Sequence, residues 1–181
     1  DVGLNPTRTG LVDALRAMRA DMSFTPKGEA AGGEPVGDVR VRHGQLGGAM
    51  TGGEMLTRMI DDVPVFCAIA ATAAGRSDVR DAEELRVKES DRLNAAAEVF
   101  RAFGVDHEEL QDGMHIQGGG RLRGAEIHSR GDHRIAMMAA VLGMAAEGET
   151  LVHDVECTAT SFPGFARTMA SLGASIVEEE S

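Results

Sequence analysis

The hydrophobic positions of this chain switch repeatedly between helical and strand spacing. A first amphipathic helix is predicted to begin at Asn5-Pro6, and its apolar stripe consists of Leu11, Leu15, Met18 and Met22. Val39 and Val41 alternate with charged residues and predict a strand. A later helix is predicted to bury one face made of Leu93, Ala96, Ala97, Phe100 and Phe103. This alternation predicts a mixed α/β fold.

Two further predicted helices are apolar on nearly all sides. One follows Asp61-Asp62-Val63-Pro64, and the other opens at Asp132-His133-Arg134 and runs through Met144-Ala145-Ala146. A helix that is apolar all round must be buried, because it has no polar face to offer to water. We therefore expect these two helices to pack together inside the molecule.

The order of elements repeats along the chain. The buried helix that begins at Asp61 returns at Asp132, an offset of 132 − 61 = 71, and the helix end at Phe103 returns at Leu172, an offset of 69. This period predicts two copies of one α/β unit, preceded by part of a third. Short strands are predicted near 79, 105–109, 114–117, 125–128, 151–155 and 175–178, and a last helix from Ser161-Phe162-Pro163.

Composition narrows the possible functions. At 181 residues we expect one compact unit. The 18 basic and 29 acidic residues give a net charge of −11, which argues against nucleic-acid binding, as does the absence of Trp and Tyr.

Cys67 and Cys157 have no metal-binding spacing and are interpreted as buried free thiols in a reducing cytoplasm. No apolar run is long enough to predict a membrane span. The first residue, Asp1, indicates a processed product or a piece of a longer protein.

Basic residues stand at three predicted helix starts, at Arg8, Arg92 and Arg134. A cation is misplaced there, because the N-terminus of a helix already carries partial positive charge, at a cost of ~0.3–1 kcal/mol. Three such placements indicate binding of anions by guanidinium groups and free backbone N–H groups. The alternative is that these arginines pair with Asp91, Asp132 or nearby acids on a solvated face.

The densest charged cluster is the segment 86–93, RVKESDRL, at a strand-to-helix junction. Lys88 and Glu89 precede Ser90, the predicted helix cap, so their side chains can face a ligand. On charge pattern alone, a structural ion pair at Lys88 is favoured.

Five segments together resemble the 5-enolpyruvylshikimate-3-phosphate synthase family: NPTRTG (5–10), MIDDVP (59–64), RVKESDRL (86–93), GDHRIAM (131–137) and TSFPGF (160–165). The resemblance implies an enolpyruvyl transferase-like α/β fold of two similar domains, each built from pseudo-symmetric βαβαββ-type units with buried apolar helices. It also implies an active site in the cleft between the domains. Residues 1–181 would be most of the C-terminal domain, about two units plus part of a third, without the N-terminal domain.

The implied activity is carboxyvinyl transfer. Such an enzyme moves the enolpyruvyl group of phosphoenolpyruvate to the 5-hydroxyl of shikimate 3-phosphate and releases phosphate, in the shikimate pathway of aromatic amino acid biosynthesis in the cytoplasm. The partners implied are these two small molecules and the missing N-terminal domain, with no nucleic acid, membrane, metal or organic cofactor. We expect the isolated chain to be inactive, because half of the cleft is absent.

The resemblance assigns proton transfer to two carboxylates. Asp61 would bind shikimate 3-phosphate and accept the proton of its attacking hydroxyl. Asp61 is alternatively a cap of the buried helix, for which Asp62 competes. Glu89 would protonate the methylene carbon of phosphoenolpyruvate and later remove that proton. Lys88 would contact shikimate 3-phosphate and the leaving phosphate oxygen.

The resemblance assigns substrate binding to the basic residues. Arg92 and Arg134 would clamp the carboxylate and phosphate of phosphoenolpyruvate, because a guanidinium fork matches both oxyanions. His133 would hydrogen-bond nearby, or is a structural histidine. The remaining histidines have no ligand spacing and are interpreted as surface or strand residues: His43, His107, His115, His128 and His153.

Two positions depart from the family pattern. Many members carry lysine at the position of Thr160 and asparagine at the position of Glu84, and Thr160 cannot supply the charge with which that lysine contacts phosphoenolpyruvate. Two alternatives to the synthase share this fold: a carboxyvinyltransferase acting on a UDP-amino sugar, and a non-catalytic anion-binding module. Both are disfavoured by the joint presence of Asp61, Glu89 and their basic neighbours.

Overall fold

The computed structural model describes residues 1–179, which fold as three small sheets around buried helices. The strands are β1 (Val2–Gly3), β2 (Asp21–Glu29), β3 (Pro35–Arg42), β4 (Met50–Thr51), β5 (Gly75–Val79), β6 (Asp106–Leu110), β7 (Gly113–Gly118), β8 (Glu126–His128) and β9 (Leu151–His153). The helices are α1 (Gly10–Ala17), α2 (Gly53–Thr57), α3 (Val63–Thr72), α4 (Arg92–Phe103), α5 (His133–Ala145) and α6 (Phe165–Ser171). Short 3₁₀ turns span Pro6–Arg8, Ile60–Asp62, Glu83–Val87 and Val155–Thr160.

The central unit runs β4-α3-β5-α4-β6-β7. β4 is parallel to β5, and β7 lies between β5 and β6 and is antiparallel to both. Helix α3 packs directly on β7. Gly118 makes this close approach possible, because a Cβ there would lie 2.1 Å from the backbone oxygen of Ala70. This element order is the βαβαββ arrangement that the resemblance implied.

The first half of that unit then recurs. β8 is parallel to β9, and α5 connects them just as α3 connects β4 and β5. The starts of α3 and α5 are 133 − 63 = 70 residues apart. The two helices pack against each other and bury Phe66, Ala70, Met138 and Leu142 among others. The mixed α/β fold and the burial of both apolar helices are therefore confirmed.

The first helix is shorter than predicted at both of its ends. The sheet β1-β3-β2 is antiparallel, so the strand at Val39 and Val41 is confirmed, but Met22 lies in β2 rather than on a helical stripe. Asn5 caps only the 3₁₀ turn, its Oδ1 accepting from the Thr7 amide at 3.0 Å. Helix α1 begins later and ends before Arg19, whose φ of 68° is left-handed.

Local errors also occur near the C-terminus. Residues 174–179, which the structure describes, form no strand, so the prediction at 175–178 is wrong. The last helix begins at Phe165 rather than Ser161, because a 3₁₀ turn and the left-handed Gly164 precede it.

The two cysteines differ in their surroundings. Cys67 is buried in α3, and burial raises the pKa of its thiol to about 12. Cys157 is only half-buried and donates to the Asp154 carbonyl at 3.0 Å, so the prediction of two buried thiols is half right.

Candidate functional site

The start of helix α4 is capped by Asp91. Its Oδ1 accepts from the Asn94 amide at 3.0 Å, which satisfies one of the unpaired N–H groups of the first turn. The predicted cap, Ser90, is wrong: its hydroxyl instead donates to Oδ2 of Asp132 at 2.8 Å. The cap makes Arg92 the first residue of the helix.

The start of helix α5 is capped by Asp132, whose Oδ1 accepts from the Arg134 amide at 3.0 Å. This carboxylate is completely buried. Its second oxygen, Oδ2, receives the hydrogen bond from Ser90 and another from Arg92, so one aspartate joins the starts of α4 and α5.

Arg92 lies at the centre of the site and is only 1% exposed. Its Nε donates to Asp132 Oδ2 at 2.9 Å and its Nη2 to Glu89 Oε2 at 2.6 Å. Its Nη1 lies 3.4 Å from Asp61 Oδ1. The sequence alternative, that Arg92 pairs with acidic residues, is confirmed. Its placement on a solvated face is wrong, because the Arg92 side chain is buried.

The pKa of the Asp132 carboxyl reflects two opposing influences. Burial by itself raises the pKa, because it penalises the charged form. Hydrogen bonds from Arg92 and Ser90, the charge of Arg92 and the Arg134 amide together outweigh burial and hold the pKa below its ordinary value. The buried carboxylate is therefore kept ionised as the counter-ion of Arg92.

Arg134 is held more loosely and keeps 23% of its side chain exposed. Its Nη1 donates to the backbone oxygen of Asp61 at 2.5 Å. The carboxylates of Asp61 and Asp62 lie at 3.7 Å and 3.6 Å from its guanidinium nitrogens. A guanidinium anchored mainly by one carbonyl retains donors for a ligand.

Asp61 and Asp62 form the 3₁₀ turn before α3 and differ from the predicted caps. Asp62 occupies the N-cap position, but its side chain makes no capping hydrogen bond within the described residues. Burial raises the pKa of the Asp62 carboxyl, and Asp61 adds to this, whereas Arg134 and Arg8 act to lower it. Asp61 is open to solvent over 36% of its side chain and is the more accessible of the two.

Lys88 lies beside Glu89 in sequence but binds a different partner. Its Nζ donates to Oε1 of Glu84 at 2.5 Å, so the residue that departs from the family pattern holds the ammonium. Glu89 is half-exposed and bonds Arg92 instead. His133 is buried, and Thr160 is exposed at the end of its 3₁₀ turn.

Four of the six predicted site residues therefore meet directly: Asp61, Glu89, Arg92 and Arg134. The sequence predicted Ser90 only as a helix cap and Asp132 only as an ion-pair partner on a solvated face. It assigned neither residue to the site, although both lie inside the quoted motifs. Arg8 ends the first 3₁₀ turn and is exposed, so it does not stand in the first turn of a helix as predicted.

Across residues 1–179, no helix combines the length and the apolar character needed to cross a bilayer.

Comparison with known proteins gives a consistent result. The family model of EPSP synthase (3-phosphoshikimate 1-carboxyvinyltransferase) matches residues 1–169. The 3-phosphoshikimate 1-carboxyvinyltransferase of Geobacter sp. (strain M21) is 51% identical over 164 residues, covering 91% of this chain and 38% of that protein. The corresponding protein of Desulforudis audaxviator is 49% identical over 172 residues, covering 95% of this chain and 40% of that protein.

Solved structures agree in fold. EPSP synthase from Acinetobacter baumannii superimposes with a TM-score of 0.93 at 36% identity, over 99% of this chain and 42% of that one. The enolpyruvyl transferase NikO from Streptomyces tendae shares only the fold, with a TM-score of 0.70 at 17% identity over 96% of this chain and 37% of that one. The chain spans about two-fifths of the length of these relatives. It belongs to the EPSP synthase (3-phosphoshikimate 1-carboxyvinyltransferase) family.

Proposed function

We propose that this chain supplies one side of an active site that transfers the enolpyruvyl group of phosphoenolpyruvate to the 5-hydroxyl of shikimate 3-phosphate. The other side would come from the N-terminal domain, which in the relatives lies in the portion that this chain does not cover. The observation that carries the proposal is the convergence of two accessible carboxylates, Asp61 and Glu89, on the buried guanidinium of Arg92.

Two carboxylates suit a reaction that needs two opposite proton transfers. Asp61 accepts the proton of the attacking hydroxyl as its oxygen bonds to C2 of phosphoenolpyruvate. Glu89 gives a proton to C3, which becomes a methyl group in a tetrahedral intermediate. Glu89 then takes a proton back from C3 while the bond from C2 to the phosphate oxygen breaks, and phosphate leaves.

The arginines support these steps in different ways. Arg134 binds an oxyanion of phosphoenolpyruvate with its exposed donors, at the positive end of α5. Arg92 is fully engaged, but its contact with Asp61, at 3.4 Å, is longer than its shortest contacts with Glu89, at 2.6 Å, and with Asp132, at 2.9 Å. An oxyanion that reaches Arg92 replaces this contact and releases Asp61 to act as a base.

The local charge of this side of the cleft supports a divided site. Four basic groups act on five acidic ones, which gives 4 − 5 = −1. The basic groups are Lys88, Arg92, Arg134 and Arg8, and the acidic ones are Asp61, Asp62, Glu84, Glu89 and Asp132. Both substrates are anions and would be repelled by this surface alone. The N-terminal domain therefore contributes the additional cations that bind them.

The test fuses residues 1–181 to the uncovered N-terminal part of the Geobacter relative and measures phosphate release from both substrates together. We expect turnover by the fused protein and none by the 181-residue chain alone. In the fused protein, Glu89→Gln should lower kcat by about 10²–10⁴, as for a positioned proton-transfer group.

Glu83→Gln is the matched control, because Glu83 is an exposed glutamate of the preceding 3₁₀ turn. Its kcat should equal that of the unmodified fusion. Phosphate release by the isolated chain would contradict the divided site. An unchanged kcat in Glu89→Gln would contradict the role of that carboxylate.

A further inference from the structure

We infer that Glu126, His128 and His153 form a binding site for Zn²⁺ on the solvent face of the β8–β9 sheet. One ligand atom from each of these side chains lies within 4.8 Å of the other two. The site is separate from the residues assigned to catalysis, and it does not depend on the proposed function.

Strand register brings the three side chains together. His128 and His153 are direct partners across the parallel pair β8–β9. Glu126 lies two residues before His128, so both project from the same face of β8, while Ile127 between them is buried. Sequence spacing could not show this, because His128 and His153 are 25 residues apart and meet only through the crossover helix α5.

The three side chains lie close together, although they do not converge on one point. The imidazole rings of His128 and His153 stack with centroids 4.4 Å apart and an interplanar angle of 13°. The Nε2 atom of His153 lies 2.8 Å from Oε1 of Glu126. The donors of a tetrahedral zinc site lie about 3.4 Å apart, given metal–ligand distances of about 2.1 Å. An imidazole nitrogen binds a metal in the plane of its ring, so the two stacked rings must turn about their side-chain torsions to face one ion. The exposed positions of Glu126 and His128 allow this turn.

Two imidazoles and one carboxylate favour zinc over harder cations. Mg²⁺ and Ca²⁺ prefer all-oxygen sites, whereas Zn²⁺ takes nitrogen and carboxylate ligands in tetrahedral geometry. Three protein ligands leave the fourth position to water. Exposure of the site lets the ion enter directly from solvent.

A metal at this position would hold together the ends of β8 and β9, and the end of β8 leads into Asp132, the cap of α5. His128 is followed by Ser129, whose hydroxyl donates to the Asp154 carbonyl at 2.8 Å and accepts from the Gly131 amide at 3.2 Å. Asp154 itself follows His153 directly. Zn²⁺ would therefore cross-link a two-stranded sheet that is short in its own right, and the bound ion should raise the thermal midpoint of the chain.

The experiment is a calorimetric titration of the 181-residue chain with Zn²⁺, with Co²⁺ absorption spectra to report the ligands. We expect one saturable site per chain. His128→Gln and His153→Gln should each weaken binding by at least about tenfold, since even outer-shell changes cost about 10–100-fold. Glu126→Gln should weaken it in the same direction. The rise in thermal midpoint with Zn²⁺ should disappear in both histidine variants.

Two controls locate the ion. His43→Gln removes an exposed histidine outside this sheet, and Cys157→Ser removes a half-buried free thiol. Neither change should alter the affinity for Zn²⁺. Circular dichroism should show native folding in every variant, because the three side chains lie on a solvent face. Absence of saturable binding, equal affinity in His128→Gln and the wild-type chain, or a loss of affinity in Cys157→Ser would each overturn the proposal.

Discussion

Helices α4 and α5 begin with similar sequences but use their arginines differently. Each is capped by an aspartate, Asp91 or Asp132. Arg92 is the first residue of α4, whereas Arg134 is the second residue of α5 and His133 the first. The first residue is buried in both helices, at 1% exposure for Arg92 and 8% for His133. One step along a helix turns a side chain by about 100°, and this places Arg134 nearer the surface.

The comparison teaches that one motif can build two kinds of anion contact. Arg92 is a permanent partner for the buried carboxylate of Asp132, and burial makes that pairing structural. Arg134 is anchored by a carbonyl and keeps donors for an incoming ligand. The five predictions below test and extend this comparison, from the largest expected change in the free energy of unfolding to the smallest.

Arg92→Ala should be the most destabilising change. It would leave the fully buried Asp132 carboxylate without its counter-ion, and breaking a buried ion pair from one side costs about 3–5 kcal/mol. The measurement is the free energy of unfolding from urea titration at neutral pH. If Arg134→Ala destabilised the chain by as much, the two arginines would not differ as described.

Asp132→Asn should cost about 1–3 kcal/mol at pH 7, because a buried charge-assisted hydrogen bond is lost. The folded-state pKa of Asp132 lies below the unfolded value, so its contribution is present above the unfolded pKa of about 3.9 and is lost as the pH falls through the folded pKa. The difference between wild type and variant, followed by urea midpoint against pH, should therefore shrink in acid.

Asp62→Asn is the opposite case and serves as the control for that profile. Burial raises the folded-state pKa of Asp62, so folding favours its neutral form. Its contribution to the free energy of unfolding is therefore lost as the pH rises through the folded pKa. The neutral variant should then be at least as stable as wild type at pH 7. A clear loss of stability there would contradict the assignment.

Arg134→Ala should change the free energy of unfolding by no more than about 1 kcal/mol, as for a partly exposed ion pair. In the fused protein described above, however, it should raise the KM for phosphoenolpyruvate at least about tenfold, the effect of losing about 1.4 kcal/mol of binding. A large loss of stability with an unchanged KM would reverse the roles assigned to the two arginines.

Glu84→Gln should have the smallest effect, about 0.3–0.5 kcal/mol, because the Glu84–Lys88 pair is largely solvated on the glutamate side. The effect should vanish in 1 M salt, where the screening length falls to about 3 Å. Glu83→Gln, from the same turn, should show no salt-dependent change at all.

The local features of the site were predictable. The buried character of α3 and α5 followed from residues that are apolar on all sides, and Asp132 stood in a recognisable capping position. The cap of α4 was assigned one residue early, because Ser90 and Asp91 are both good caps and only the contact with Asp132 draws Ser90 away. Met22 was predicted on a helix because the spacing of apolar residues does not show that the left-handed Arg19 ends the helix before it.

The sequence by itself determined the α/β class, the two buried helices, the motifs of the family and the charges available to the site, because periodicity and capping act over a few neighbouring residues. The tertiary structure alone decided which charges meet. The partners of Arg92 lie 3, 31 and 40 residues away along the chain, and the two histidines of the inferred zinc site lie on separate strands. Such pairings depend on how α3, α4 and α5 pack. Arg92 is a residue type that usually lies on the surface, and this packing buries it among three carboxylates at the centre of the site.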